Sequence, residues 1–322
     1  TWQESGRAGR RNDVSLTVLV ANSSPLNQFI ASHPEYFFEQ TPENGLINPD
    51  NLYILLSHIQ CAAFELPFRD GERFGDQPVG EILGYLEEQG TIRHVGDAWH
   101  WSAEEFPSTN VSLRSASNEN FVIIDVTEHE PRVIGQMDRF AAPMLLHEEA
   151  IYIHEGRQYQ VEKLDFFEKK AFVRAVDVDY YTDANLAVSL RVLDEFAAQP
   201  GAVARAWGEV LVTSMVTIFK KIKFDTHENI GFGRVNLPEL EMHTTAYWMS
   251  WDDTLLRLEA ERLEDGLTGA ANLLAVVAPM YLMCDPRDIA VVPQIRSPHT
   301  RRPTIYIYDC YPGGIGLSDK LY

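Results

Sequence analysis

The chain has 322 residues, 45% of them hydrophobic and 23% charged, with a formal net charge of −20 at pH 7. That length calls for two or three domains, and the composition is that of an ordinary globular protein with no apolar run long enough to span a membrane. Three scattered cysteines, Cys61, Cys284 and Cys310, argue against a disulfide framework and suit a reducing cytoplasm.

The first residues, Thr-Trp-Gln-Glu-Ser-Gly-Arg-Ala-Gly-Arg-Arg, hold Gln3, Gly6, Arg7, Gly9 and Arg10 in a Q-x-x-G-R-x-G-R pattern. The pattern resembles the box that superfamily 2 helicases carry at the end of their second RecA-like domain. Its chemistry fits nucleotide hydrolysis, because a planar, permanently charged guanidinium stabilises the negative charge that gathers on a γ-phosphate. Arg7, Arg10 and Gln3 are therefore candidate catalytic residues. Gly6 and Gly9 let the backbone turn toward one nucleotide. The simpler alternative is a basic, glycine-containing tail. A motif that closes a motor stands first here, so the chain reads as the back part of a longer protein. No G-x-x-x-x-G-K-[ST] phosphate loop occurs anywhere, and no magnesium box precedes the arginines. The chain alone is expected not to hydrolyse ATP.

Leu16–Ala21 reads as a buried strand, the last of the RecA-like domain. Pro25 to Pro49 is polar and broken by prolines and Gly45, which predicts irregular structure. Leu52 to Phe64 predicts a helix with Leu52, Leu55, Leu56, Ile59 and Ala63 on one side, and Cys61 within it as a small core residue. Asp76 as N-cap and Pro78 in the first turn predict a second helix, with Val79, Ile82, Leu83 and Leu86 inward and Gly90 ending it. Thr91–Val95, Gly96-Asp97 and Ala98–Trp101 follow as a two-residue hairpin. Helix then hairpin is the winged-helix pattern, which serves both DNA binding and protein packing. Trp99 and Trp101 are read as packing aromatics.

Strand signals dominate from Asn120 to Lys223, including Ile151–Ile153, Tyr159–Val161 and Ala171–Val173, and predict a small antiparallel β-domain. Gly201 to Gly208 reads as a linker or loop. Thr254 to Met283 reads as helical, with Ala271 to Met283 as a buried stretch broken by Pro279, and Thr304 to Tyr308 as an apolar strand. Pro312-Gly-Gly-Ile-Gly316 reads as a tight turn, with an anion-cradling nest of amides as the alternative. Two basic patches stand out against the acidic total: Arg296, Arg301 and Arg302 in one loop, and Lys220 and Lys221 on a strand. Taken alone, −20 argues against nucleic acid, but binding depends on local patches. Each patch read separately is a solvated face; together they are the candidate nucleic-acid contacts. His243 and His299 could donate nitrogen to a metal but read as surface or hydrogen-bonded residues, and Glu241 with His243, a potential acid-base or metal pair, has no partner at ligand spacing and is read as structural.

Across nearly the whole chain, the sequence resembles the bacterial mitomycin repair factor A helicases, relatives of fungal RecQ-like repair helicases. The resemblance rests on Trp2–Arg10, Ala150–Tyr159, Asp177–Thr182, Glu241–Trp248, Cys284–Ile289 and Tyr308–Leu317. It implies the C-terminal part of an ATP-dependent 3′→5′ DNA helicase acting in DNA repair. The implied fold class is α+β and multidomain. Residues 1–66 would be the end of the second RecA-like α/β domain and a connector, and 67–110 the winged helix. Residues 111–322 would be a β-rich and α/β domain of zinc-binding type, truncated at its C-terminus. ATP and Mg2+ would serve the parent protein, and Zn2+ the complete C-terminal domain. Cys284 matches an upstream zinc ligand whose partners fall beyond Tyr322, so a well-formed zinc site is not expected here.

The implied partners are single-stranded or forked DNA and the upstream RecA-like domains, with no membrane and a cytoplasmic, nucleoid-associated location. Two other functions remain open on the residues: a non-enzymatic DNA-binding or regulatory module, and a protein-interaction scaffold.

Overall fold

The computed structural model describes residues 8, 14–39, 48, 50–75, 77–111, 120–252 and 259–322. Gln3, Gly6, Arg7, Gly9 and Arg10, the Asp76 cap and residues 254–258 of the expected helix lie outside them. Residues 14–22 carry no regular structure, and Leu16 and Val20 are 86% and 85% exposed. The expected buried strand at Leu16–Ala21 is corrected, since no strand among the described residues pairs with it. The expected irregular stretch after Pro25 instead holds two short helices, α1 (Pro25–Ser32) and α2 (Pro34–Phe38). Each begins on its proline, where the missing N–H would have no intrahelical partner anyway.

The winged helix is built as its pattern predicts, with one shift. Helix α3 (Leu52–Glu65) buries Leu55, Ile59 and Ala63 at four-residue spacing and leaves Leu52 exposed. Strand β1 (Phe68–Arg69) is followed by a tiny ribbon of β2 (Arg73–Phe74) and β3 (Gln77–Pro78). That pairing takes Gln77 and Pro78, so α4 (Gly80–Glu88) begins after Val79 and not near Asp76. Strands β4 (Ile92–Val95) and β5 (Ala98–Trp101) form the hairpin, closed by Val95 opposite Ala98, and β1 adds to it. Val79, Leu83, Leu86 and Ile92 pack with the α3 face into one core, against which Trp99 and Trp101 lie half-buried.

The next unit is a five-stranded sheet, in order β7 (Arg132–Asp138), β6 (Asn120–Asp125), β10 (Lys170–Val176), β9 (Arg157–Asp165), β8 (Ile151–His154). It is antiparallel apart from the parallel pair β6–β10. Short helix α5 (Ala142–Leu145) closes its core of Phe121, Ile123, Val161 and Val173.

A larger curled sheet follows. Two long strands, β11 (Tyr180–Gln199) and β12 (Val203–Lys223), form a hairpin. Strand β12 also pairs with β13 (Asn229–Arg234) and β14 (Leu240–Trp251). Strands β15 (Ile289–Gln294) and β16 (Thr304–Asp309) complete the order β11-β12-β14-β16-β15. The expected linker at Gly201–Gly208 is corrected: Gly201 sits at the hairpin turn, and Val203–Gly208 is strand, paired with β14 throughout and with β11 from Arg205 onward. One face of this sheet closes on itself around Val210, Ala246, Trp248 and Tyr306, and Gln294 Nε2 donates to the Leu190 carbonyl across the gap at 2.9 Å.

The other face is covered by α6 (Ala260–Leu282) and α7 (Leu317–Leu321), through Tyr247, Ala278, Leu282, Ile307 and Leu317. Helix α6 is not the buried helix expected from its apolar run: Leu273 and Tyr281 are 64% and 69% exposed, since only one of its sides meets the sheet. No helix among the described residues is long and apolar enough to cross a membrane.

His147 sits where the five-stranded unit meets the long hairpin. It is fully buried, its ring lies 4.5 Å from that of Phe219, and its Nδ1 meets the Glu148 carbonyl at 2.9 Å. Its Nε2 is buried without a hydrogen-bond partner among the described residues. Nearby, Lys221 Nζ pairs with Glu149 at 3.1 Å. Burial holds the imidazole below its ordinary value of 6.5, against the opposing pull of the Glu148 carbonyl and the Glu149 carboxylate. The depressed folded-state pKa means the unfolded chain takes up the proton first. The neutral ring's contribution is therefore complete above about pH 6.5 and is lost as pH falls from there through the folded-state value. Melting curves from pH 7.5 to 5 should show a steeper loss for the native chain than for His147→Phe; equal slopes would refute this account.

Candidate nucleic-acid interface

Strands β14 and β16 bring residues far apart in sequence to the turn end of the β11–β12 hairpin. Ser250 lies opposite both Ala204 and Thr304, so the β15–β16 loop sits beside residues 199–205. That loop carries Arg296, Arg301 and Arg302, all exposed and without an ion pair among the described residues. It is knotted by Ser297, 1% exposed, whose Oγ lies 2.7 Å from Tyr306 Oη and accepts the His299 and Thr300 amides at 3.1 and 3.3 Å. The Arg301 amide donates to the Ser297 carbonyl at 2.8 Å, with Arg301 in the left-handed region at φ 59°. The loop is thus held in one shape with its guanidinium groups outward.

The structure adds two arginines that the sequence alone did not mark. Arg191 on β11 and Arg205 on β12 line neighbouring hollows at this end, and Arg205 Nη2 donates to Gln199 Oε1 at 2.8 Å. Only the strand register could have found them. Arg191 and Arg205 thus join the three loop arginines at the end of the sheet that also carries Glu195, in a chain of net charge −20.

The lysine patch is elsewhere. Lys220 and Lys221 lie sixteen or more positions along β12 from Ala204, roughly 50 Å by strand rise. Lys220 is exposed, whereas Lys221 is occupied by Glu149 and lies 5.8 Å from the Tyr180 and Phe219 ring centres. The two patches suggested by sequence are therefore not one surface.

The winged helix offers little positive charge. Helix α4 carries Glu81, Glu87 and Glu88 and no basic residue. In the hairpin region Arg69 pairs with Asp97 at 3.0 Å, while His94 Nε2 and Trp99 Nε1 both meet Asp70 Oδ1, at 2.8 and 2.9 Å. Trp101 packs edge-on to Phe64.

Around Cys284 the geometry is that of a closed protein corner. Ile289 opposite Asp309 brings Cys310 beside Asp288, whose carbonyl accepts the Cys310 amide at 2.8 Å. Cys284 and Cys310 come within electrostatic reach of each other. Burial, reinforced by Asp288, Asp309 and Asp285, pushes the Cys284 thiol up to about 11, and burial with Asp309 and Asp288 pushes Cys310 to about 12. The carboxylates are engaged: Asp285 by Arg287, Asp288 by the Tyr311 hydroxyl and the Asp285 amide, and Asp309 by four backbone amides. Among the described residues no group of three or more Cys, His, Asp or Glu is placed to hold a metal ion. A tetrahedral zinc needs four such donors, and the residues here do not fit it.

The nest suggested for Pro312–Gly316 does gather amides, but the anion is internal. Asp309 accepts N–H groups from Ile315, Gly316, Leu317 and Ser318 at 2.7–3.2 Å. Gly313 and Gly314 have φ of 76° and 72°; a Cβ on the first would lie 2.5 Å from Asn51 Nδ2, and one on the second would collide with the Thr245 hydroxyl. His243 lies 3.6 Å from Glu209, and its carbonyl accepts the Gly313 amide at 2.7 Å, so it serves the same turn.

An α+β chain with a winged helix, a second β-sheet unit and a curled sheet bearing a basic end is the class that this fold and site define. Residues 47–116 match the winged helix domain of ATP-dependent helicase HRQ1, and residues 270–322 match the MrfA Zn-binding domain. The chain is 52% identical over 323 residues to the uncharacterized ATP-dependent helicase YprA of Bacillus subtilis, covering all of this chain and 43% of that protein. It is 36% identical over 190 residues to ATP-dependent helicase HRQ1 of Saccharomyces cerevisiae, covering 56% of this chain and 17% of that one. The crystal structure of the DUF1998 helicase MrfA bound to DNA aligns with a TM-score of 0.67 at 52% identity, over 99% of this chain and 43% of that one. The chain is thus similar along its whole length to YprA and MrfA, and it spans less than half the length of these relatives.

Proposed function

We propose that the chain is the C-terminal part of an ATP-dependent 3′→5′ DNA helicase acting in DNA repair, and that it guides single-stranded or forked DNA. The observation that carries this reading is the arginine-lined end of the curled sheet, in a chain similar along its length to a helicase solved on DNA. Arg296, Arg301 and Arg302 are assigned to phosphate contacts, with Arg191 and Arg205 beside them. Lys220 is assigned to a separate and weaker contact, while Lys221 is structural. Gln3, Arg7 and Arg10, with Gly6 and Gly9 shaping the backbone, complete a nucleotide site with Mg2+ that upstream RecA-like domains supply. The chain alone, with no phosphate loop, does not hydrolyse ATP. Cys284 serves as one zinc ligand of the complete domain, and the remaining ligands come from outside these residues.

Fluorescence anisotropy with a labelled single-stranded oligonucleotide tests the reading. Binding should weaken steeply with salt, since each neutralised phosphate of a single strand contributes a slope near 0.7 in log–log form. Replacing Arg296, Arg301 and Arg302 together by Glu should weaken binding at least about tenfold at low salt and flatten that slope. No binding at 20–50 mM salt, on the order of the low end of such titrations, would sink the proposal. The acidic α4 favours a second role for the winged helix alone, as a packing module against neighbouring protein and not a reader of duplex DNA.

A further inference from the structure

Resting on the DNA-guiding role proposed above, we infer that His299 is a stacking residue for one unpaired nucleobase, held in place by Glu195. The ring stands between two hollows: one of about 280 Å³ reaching to Trp248, Ser250 and Gln199, and one of about 180 Å³ against Leu190 and Pro298. Its orientation is set on two sides. Nε2 lies 3.2 Å from Glu195 Oε2, and the ring meets buried Trp248 edge-on, with centroids 5.7 Å apart at 89°. The imidazole remains partly open, its side chain 38% exposed. An aromatic ring fixed in plane, with space beside it, is what stacking on a base requires.

Size and charge select the occupant. A hollow of about 280 Å³ is at the small end of ligand pockets, which suits one planar group and excludes a bulky ligand. Arg301 and Arg302 stand two and three positions beyond His299 in the same loop, and Arg205 lines the larger hollow, so cations lie near the ring for the sugar-phosphate chain that carries the base. The Glu195 carboxylate, the one acid lining this hollow among the described residues, is committed to His299 and can accept from a base amino group beside it. In duplex DNA the bases are stacked on each other, so the ligand class is single-stranded nucleic acid.

The test compares a thymidine oligonucleotide with one of equal length and charge whose central positions are abasic. The native 322-residue chain should bind the abasic strand at least about fivefold more weakly. His299→Gln, which keeps a donor toward Glu195 but removes the ring, should bind both strands alike, at the weaker level. His299→Phe should retain most of the preference. Equal binding of the two strands by the native chain overturns the base-stacking site while leaving the DNA-guiding role intact. A preference undiminished in His299→Gln overturns the assignment to this residue. Absence of binding to either strand overturns both readings together.

Discussion

Replacing Asp309 with alanine is expected to lower the stability of the curled-sheet domain by about 4 kcal/mol, because several buried N–H groups are stranded at about 1–3 kcal/mol each. Asp309 is fully buried at the end of β16. One oxygen accepts the amides of Ile315, Gly316 and Leu317, and the other accepts that of Ser318 at 2.8 Å. Its own carbonyl takes the Thr244 hydroxyl at 2.8 Å. Burial pushes the carboxyl above the usual range, and the amides pull against that. Asp309→Asn keeps one acceptor oxygen but turns an NH2 toward amide donors, so its loss should be smaller than that of alanine and still clear. Urea denaturation followed by tryptophan fluorescence measures both. A loss under about 1 kcal/mol for alanine, the size of one ordinary hydrogen bond, would show that water replaces the carboxylate and that the turn does not depend on it.

What the sequence revealed was what neighbours along the chain decide. The winged-helix hairpin was legible because Gly96-Asp97 is a local turn signal between two alternating runs, and the observed register follows from it. The α3 face was legible from four-residue spacing. Where a distant partner decides, the reading failed or was blind. Pro78 looked like a helix start, but pairing with Arg73 made it strand. Val203–Gly208 looked like a linker, but β14 pairs along it. Leu16–Ala21 has strand composition and no strand beside it among the described residues. At the candidate site, Arg296, Arg301 and Arg302 were visible as a cluster, while Arg191, Arg205 and Glu195 join them only through the closure of a curled sheet. Lys221 illustrates the reverse error: its charge was legible and its partner, Glu149, lies 72 positions away.

Asn51→Ala is expected to cost about 3 kcal/mol, combining a lost helix cap of about 0.5–2 with buried carbonyls left unpaired at about 1–3 each. Asn51 is 2% exposed and works in two directions. Its Oδ1 accepts the amides of Tyr53 and Ile54 and starts α3, the first helix of the winged-helix unit. Its Nδ2 donates to the carbonyls of Pro312 and Gly314, at 2.7 and 3.0 Å, in the turn that Asp309 organises. One side chain therefore couples the winged helix to the curled-sheet domain across some 260 residues of sequence. Asn51→Asp separates the two roles, since a carboxylate still caps α3 but faces the two carbonyls with no donor. If the coupling is real, both variants should split a single thermal transition into two, with the winged helix melting first, and Asp should retain α3 helicity better than Ala. A single transition shifted equally in both would mean that the cap alone matters and that the joint is held elsewhere, for example by Tyr36, whose hydroxyl donates to the Met280 carbonyl at 2.9 Å.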